Sequence, residues 1–415
     1  MTESKAFLQR DDHMSNLRNK SLRIASAIIG LTGILIFASY GLSRSVAATT
    51  AGRSTGADLR PKILAGSILF RGDTQRTGAY DDTGIRQMSR LKWSRPFGSV
   101  VNESPVFADG VLYLGSGDGR IHAIDSITGN NLWSFKAKTS RVFSPVAVAD
   151  GIVYVGSEKK LLYALNAGTG RKLWQFKTKS VVWTAPLVVN GTVYFASQEG
   201  NFFAVDISTR RQKWKLNTRA VQIHPPAFDN GTVYFSAQQT LYALDGETGQ
   251  ERWKIEKSAN EAWSAPAIAN GILYAGNQDG HVYAIDTQTG AVLWDSLSDS
   301  DAWSSPSIAD GRVYIGNKSG SFYGLDAQTG AIVWRFQTED SAMSAPIVAG
   351  GVVYFGVGNH EFPPREGPRH LYALDGQTGE ELWKFQAGSR LLSGVAIGNG
   401  AIYVASFAGR LYAVE

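Results

Sequence analysis

No cysteine occurs among the 415 residues of the chain, which excludes disulfides, thiolate metal sites, a cysteine nucleophile and a lipid-modified cysteine. A domain of this length buries enough apolar surface without such staples, so the absence fixes no compartment. Charge is also scarce, at 19% of residues, against 11 Trp, 16 Tyr and 19 Phe. That balance excludes a disordered chain, which needs low hydrophobicity and high net charge. The formal charge of +5 does not mark a nucleic-acid binder. Residues 1–66 hold nine Lys or Arg against four acids, which leaves 32 of each sign in the remainder. A neutral body has no footprint for a phosphate backbone.

Long hydrophobic runs are absent except for one. Ile24 to Leu42 is an uncharged, mostly apolar stretch that as a helix would reach about 28 Å, close to the thickness of a bilayer core. Arg18, Lys20 and Arg23 precede it, so residues 1–23 are expected in the cytoplasm and the rest outside. The sequence Ser45-Val46-Ala47-Ala48 offers a signal-peptidase site, but the run is long for a cleaved signal, and a retained anchor is expected. Residues 43–66, rich in Ser, Ala, Thr and Gly, read as a flexible linker.

What dominates the remainder is repetition. Trp93, Trp133, Trp174, Trp214, Trp253, Trp294, Trp334 and Trp383 recur at spacings of 39 to 41 residues, with a last step of 49. A unit such as 261–299 parses as four short strands. Asn270-Gly271 and Asp279-Gly280 supply the first two hairpins, and Thr289-Gly290 turns into the Trp strand. Four-strand units near 40 residues predict propeller blades. Seven units are complete over 101–389. The eighth, 390–415, lacks its Trp strand, and Leu91–Phe97 supplies it. The expectation is an all-β, eight-bladed propeller over 67–415, closed by an N-terminal strand and preceded by one apolar helix.

The pattern Ala-x-Asp-x-x-Thr-Gly-x-x-x-Trp stands whole at 123–133, 243–253, 284–294 and 373–383; Asn166, Arg210 and Gly324 depart from it. On these residues the chain resembles the pyrroloquinoline-quinone (PQQ)-like repeat propellers, and Phe70–Gly78 resembles that family's lead-in. The family includes quinone-dependent alcohol dehydrogenases, the propeller lipoprotein of the outer-membrane β-barrel assembly machine, and sensor domains of membrane kinases. The motif residues are read as structural, and Arg71-Gly72-Asp73 as incidental.

Function is sought where the repeats differ. Eight residues before each turn glycine stand Asn102, Phe143, Trp183, Ile223, Trp263, Trp303, Met343 and Leu392. Seven are large and apolar, and they are read either as packing between blades or as a collar round the channel mouth. The next position is Ser or Thr in six blades, expected to bond backbone between blades, with Glu103 and His224 as the exceptions. No activated nucleophile stands beside either. Loops after blades one to three carry Lys136, Lys138, Arg141, Lys177, Lys179, Lys215 and Arg219. Loops at blades five and six carry Glu261, Asp295, Asp299, Asp301, Glu339 and Asp340. One rim is therefore expected to be basic on one side and acidic on the other, which suits orienting a protein. An insertion in blade seven contains His360, Glu361 and His370 at no established metal-site spacing.

Two functions compete. The first is a non-catalytic, membrane-tethered scaffold or sensor outside the cytoplasmic membrane, monomeric and binding an envelope protein or peptide on this rim. The second, implied by the resemblance, is a PQQ- and Ca²⁺-dependent dehydrogenase. Against it stand minimal blades and the absence of the vicinal cysteine pair that often caps the quinone in those enzymes. Asn102 and Glu103 would be its calcium ligands.

Overall fold

The turn chemistry of each repeat fixes the shape of a blade. In blade 5, Asp286 Oδ1 accepts from the Thr289 backbone N–H and hydroxyl, both at 2.7 Å, and closes the third hairpin. Asn166 does the same work for Thr169 in blade 2, at 2.9 and 2.8 Å, because the turn needs only an acceptor oxygen. The glycine after each threonine takes a positive φ, +74° at Gly290, and a Cβ there would lie 2.9 Å from the Trp253 ring of the preceding blade. Side-chain bulk is thereby excluded where the indole docks. The seam is completed by hydrogen bonds to one carbonyl: Trp253 Nε1 and Tyr234 Oη both donate to Thr287 O, at 2.9 and 3.1 Å.

Eight such sheets close a ring. The computed structural model describes residues 67–68, 71–101, 103–138, 141–142, 144–302, 304–339, 341, 344–358, 369–391 and 393–415. The apolar run 24–42, the linker 43–66, and Asn102, Phe143, Trp303, Met343 and Leu392 lie outside the described residues, as do His360 and Glu361. No helix occurs among the described residues. Blade 8 has the order expected from the sequence, with Leu91–Pro96 as the outer strand beside Arg410–Val414. Trp93 Nε1 and Tyr403 Oη both donate to Ser126 O of blade 1, at 3.0 and 3.2 Å, so the closing seam repeats the ordinary one. At the seam before it, Trp383 Nε1 donates to Ile85 O at 2.7 Å. Ile85 thus stands in for the hairpin that blade 8 lacks.

The departure at Arg210 has a cost. It holds φ of +61° where the other turns place glycine, a region that penalises a Cβ by about 1–2 kcal/mol. Arg210→Gly is expected to stabilise the ring by about 1 kcal/mol or less once the extra freedom of glycine is counted, visible as a raised thermal midpoint.

The lead-in is not a peripheral strap. Ser67–Ile68 pairs with Ala147–Ala149 of blade 2, and Ala79–Tyr80 runs parallel to Ile347–Ala349 of blade 7. Between them the chain crosses the axis. The carbonyls of Thr74, Gln75, Thr77 and Gly78 accept from the backbone N–H of Phe228, Ile268, Ile308 and Val348, at 2.7 to 2.8 Å. These N–H groups form the inner edge of blades 4 to 7, which would otherwise be left without partners in a buried place. Arg71 and Arg76 are fully buried. Arg76 Nε donates to Pro226 O at 2.8 Å and Nη2 to Pro186 O at 3.3 Å. Arg71 Nη2 donates to Ser307 Oγ at 2.8 Å and to Pro306 O. The Arg-Gly-Asp tripeptide is therefore part of the channel filling, and the reading of it as incidental is corrected.

Candidate functional site

Each inner strand begins at the rim formed by the second hairpins and the connections between blades, and ends at the opposite face. Just below that rim the axis is shut. Ala185 of blade 3 and Ala345 of blade 7, on opposite sides of the ring, are buried against one another. With the lead-in beneath them, the axis below the collar positions is filled by described residues.

The collar positions that are described behave differently from one another. Trp263 is 1% exposed. Its Nε1 donates to Gln239 O at 3.1 Å and its ring meets Tyr283 edge-on at 5.0 Å. Ile223 is also buried. Trp263 is packing, whereas Ile223 packs and also borders a depression beside Trp183. Trp183 is only half-buried. The difference lies one strand away: in blade 3 Phe195 stacks on Phe203 at 5.1 Å and fills the space over the sheet. In blade 5 the corresponding pair is Ala275 with Tyr283, and the small alanine leaves room for Trp263.

The hydroxyl series mostly serves its own blade, not the seam. Thr184 Oγ1, Ser264 Oγ, Ser304 Oγ and Ser344 Oγ accept from the N–H twelve residues on, at 2.7 to 3.0 Å. Ser144 crosses to the next blade, donating to Thr184 O at 2.9 Å. The two exceptions have separate surroundings. Glu103 is fully buried, and among the described residues neither carboxylate oxygen has a hydrogen-bond partner. Burial pushes its carboxyl well above the usual range. His224 is buried beside Gln222, whose Nε2 lies 3.1 Å from its own Nε2. Burial pulls the imidazole down to about 4, so it is neutral at physiological pH.

Trp183 and His224 come together. With Pro145, Thr184, Ala185, Gln222, Ile223 and Pro225 they line a shallow, open depression across blades 2 to 4. Glu103 is not part of it. Gln222 and its neighbour Val221, which is 62% exposed, were not singled out by the sequence. The signal was present: the position of Gln222 holds Val, Ala or Leu in the other seven blades.

The rim is not the simple dipole that the sequence implied. Much of its acidic side is paired among the described residues. Asp299 accepts from Tyr323 Oη at 2.8 Å and from Ser321 and Ser319 Oγ at 2.9 and 3.0 Å, and also from Asn317 and Arg335. Burial alone would raise its carboxyl, but these donors outweigh it and hold it near 2. Asp301 lies 3.4 Å from Lys318 and Asp295 lies 2.7 Å from His281. On the basic side Lys138, Lys177, Lys179, Lys215, Arg219 and Arg141 are exposed. Among the described residues, the first five have no acidic partner within ion-pair distance.

Quinone chemistry finds no fit in these residues. The depression presents no cationic side chain to balance the carboxylates of PQQ, since His224 is neutral. Among the described residues no three His, Asp or Glu side chains converge on a point that could hold calcium.

Among solved structures the chain is similar to BamB from Moraxella catarrhalis, at TM-score 0.67 and 18% identity, covering 79% of this chain and 99% of that one. It is similar to the quinohemoprotein alcohol dehydrogenase of Comamonas testosteroni at TM-score 0.66 and 18% identity, covering 82% and 79%. The computationally designed Ika8 protein matches at TM-score 0.68 and 20% identity, over 78% and 99%. At such identities these likenesses establish the fold alone. No curated protein matches. A family model described as outer membrane protein assembly factor BamB matches residues 41–135, 117–225, 220–304 and 278–415, and the chain belongs to that PQQ-like repeat family.

Proposed function

We propose that this protein is a non-catalytic propeller, tethered to the membrane through residues 24–42, that works outside the cytoplasmic membrane as a monomeric protein-binding scaffold in envelope assembly. The observation that carries this reading is the depression at Trp183, whose lining residue Gln222 is next in the chain to exposed Val221, on a ring whose described residues fill the axis and bring together no cluster of three metal-ligating side chains. A half-buried aromatic beside a small apolar group, ringed by polar loops, is the composition of a protein contact site. Membership in the BamB family supports the same reading.

A photo-crosslinking amino acid placed at Val221 in cells is expected to capture a defined envelope protein. The same probe at Leu132, on the outer strand of blade 1, is expected to capture none. Capture from Leu132 alone would defeat the rim assignment. Titration of the purified full chain with PQQ and Ca²⁺, followed by dye reduction with alcohols and aldoses, is expected to give no turnover. Saturable quinone binding with turnover would replace the scaffold with a dehydrogenase.

A further inference from the structure

We infer that the basic arc over blades 1 to 4 recognises an extended acidic segment of the partner, with apolar side chains of that segment seated in the depression at Trp183. This rests on the rim reading above and adds the chemistry of what the rim binds.

The argument is one of charge left over. Equal numbers of acidic and basic residues follow the linker, yet their pairing on the rim is unequal. Asp299, Asp301, Asp295 and Asp279 of blades 5 and 6 lie within ion-pair distance of Arg335, Lys318, His281 and Lys257 respectively. Lys138, Lys159, Lys177, Lys179, Lys215 and Arg219 are exposed and, among the described residues, have no carboxylate within ion-pair distance. Unpaired surface cations repel one another, and that repulsion is relieved when a polyanion binds. Solvated lysines on one loop would carry little meaning. Lys138, Lys179 and Arg219 stand on three successive connections between blades, after blades 1, 2 and 3, Lys159 on the second hairpin of blade 2, and Lys177 and Lys215 on the outer strands that lead into two of these connections.

The depression itself selects against a bare polyanion. Its lining is Pro145, Trp183, Ala185, Ile223 and Pro225, with Thr184, Gln222 and neutral His224 as its hydrogen-bonding groups. A ligand that satisfies both parts alternates acidic and apolar side chains along an extended backbone, the spacing that puts neighbouring side chains on opposite sides. An anionic membrane surface is the weaker match. Ser67 pairs with Ala149 at the end of a blade 2 inner strand, so the chain reaches the ring on the face opposite this rim.

The test uses the full chain in detergent, with fluorescence anisotropy of a labelled peptide alternating glutamate and leucine. A lysine–leucine counterpart and phosphatidylglycerol vesicles are run beside it. The acidic peptide is expected to bind saturably, and the double variant Lys179→Glu/Arg219→Glu to weaken it tenfold or more. Trp183→Ala is expected to weaken it severalfold, and Lys254→Glu on the outer strand of blade 4 to leave it unchanged. Equal binding of the basic peptide would overturn the inference, as would vesicle binding with the same charge dependence but no peptide preference. If the acidic peptide fails while Val221 still crosslinks its envelope protein, the inference falls and the rim reading stands. Loss of the crosslink itself would remove both.

Discussion

Deleting residues 1–97 is expected to abolish the single cooperative unfolding transition, while deleting residues 1–66 leaves the propeller's melting unchanged. The shorter deletion keeps every described contact. The longer one removes the outer strand of blade 8, exposing the Arg410–Val414 edge, and removes Trp93 and Ile85 from the two closing seams. It also strips the inner-edge N–H groups of blades 4 to 7 of their acceptors, and each buried orphan costs about 1–3 kcal/mol. A single substitution samples the same feature. Arg76→Leu leaves Pro226 O and Pro186 O without their guanidinium donor and is expected to cost about 2–4 kcal/mol. Circular dichroism melts of the three variants check both statements. A cooperative transition in the 98–415 chain would show that the ring closes without its lead-in.

The second large effect is a pair of opposing pH dependences. His224 is held neutral in the fold, its pKa depressed by burial to about 4 from an ordinary 6.5. Between those values the unfolded chain binds a proton that the folded chain refuses. Stability is therefore fully present above pH 6.5 and falls as the pH drops toward 4, by on the order of 3 kcal/mol. Glu103 acts in the other direction. Its raised pKa lets the folded chain keep a proton that the unfolded chain releases above 4.5, so its contribution is present in acid and is lost as pH rises. His224→Gln is expected to flatten the acid limb of a stability profile. Glu103→Gln is expected to flatten the upper limb and raise the melting temperature at neutral pH. Urea unfolding from pH 4 to 8 measures both. An unchanged slope in either variant would remove that residue from the account.

The blades could be read from the sequence because one chemical solution recurs. Trp294, Thr289 and Asp286 have counterparts in blade after blade, so eight weak signals add. Closure by Leu91–Pro96 followed from counting. The channel filling could not be read in this way. The lead-in occurs once, and it binds carbonyls of prolines that look the same in any sequence. Sorting Trp263 from Trp183 needed a residue one strand away, Ala275 against Phe195. The sequence contained that difference, but it acquires meaning only once the register places it beside the tryptophan. The loss of the rim dipole has the same cause. Asp299 looks free in the sequence because Arg335, Ser321 and Tyr323 come to it from strands further along the chain.

The lead-in also determines how the ring would bear a load. Tension on the chain before Ser67 would meet the two-residue pairing with Ala147–Ala149 first, a contact that opens one bond at a time. Beyond it the pull would reach Arg71 and Arg76, which grip blade 6 on one side of the axis and blades 3 and 4 on the other. Force entering at one point is thus shared among several blades instead of peeling one away.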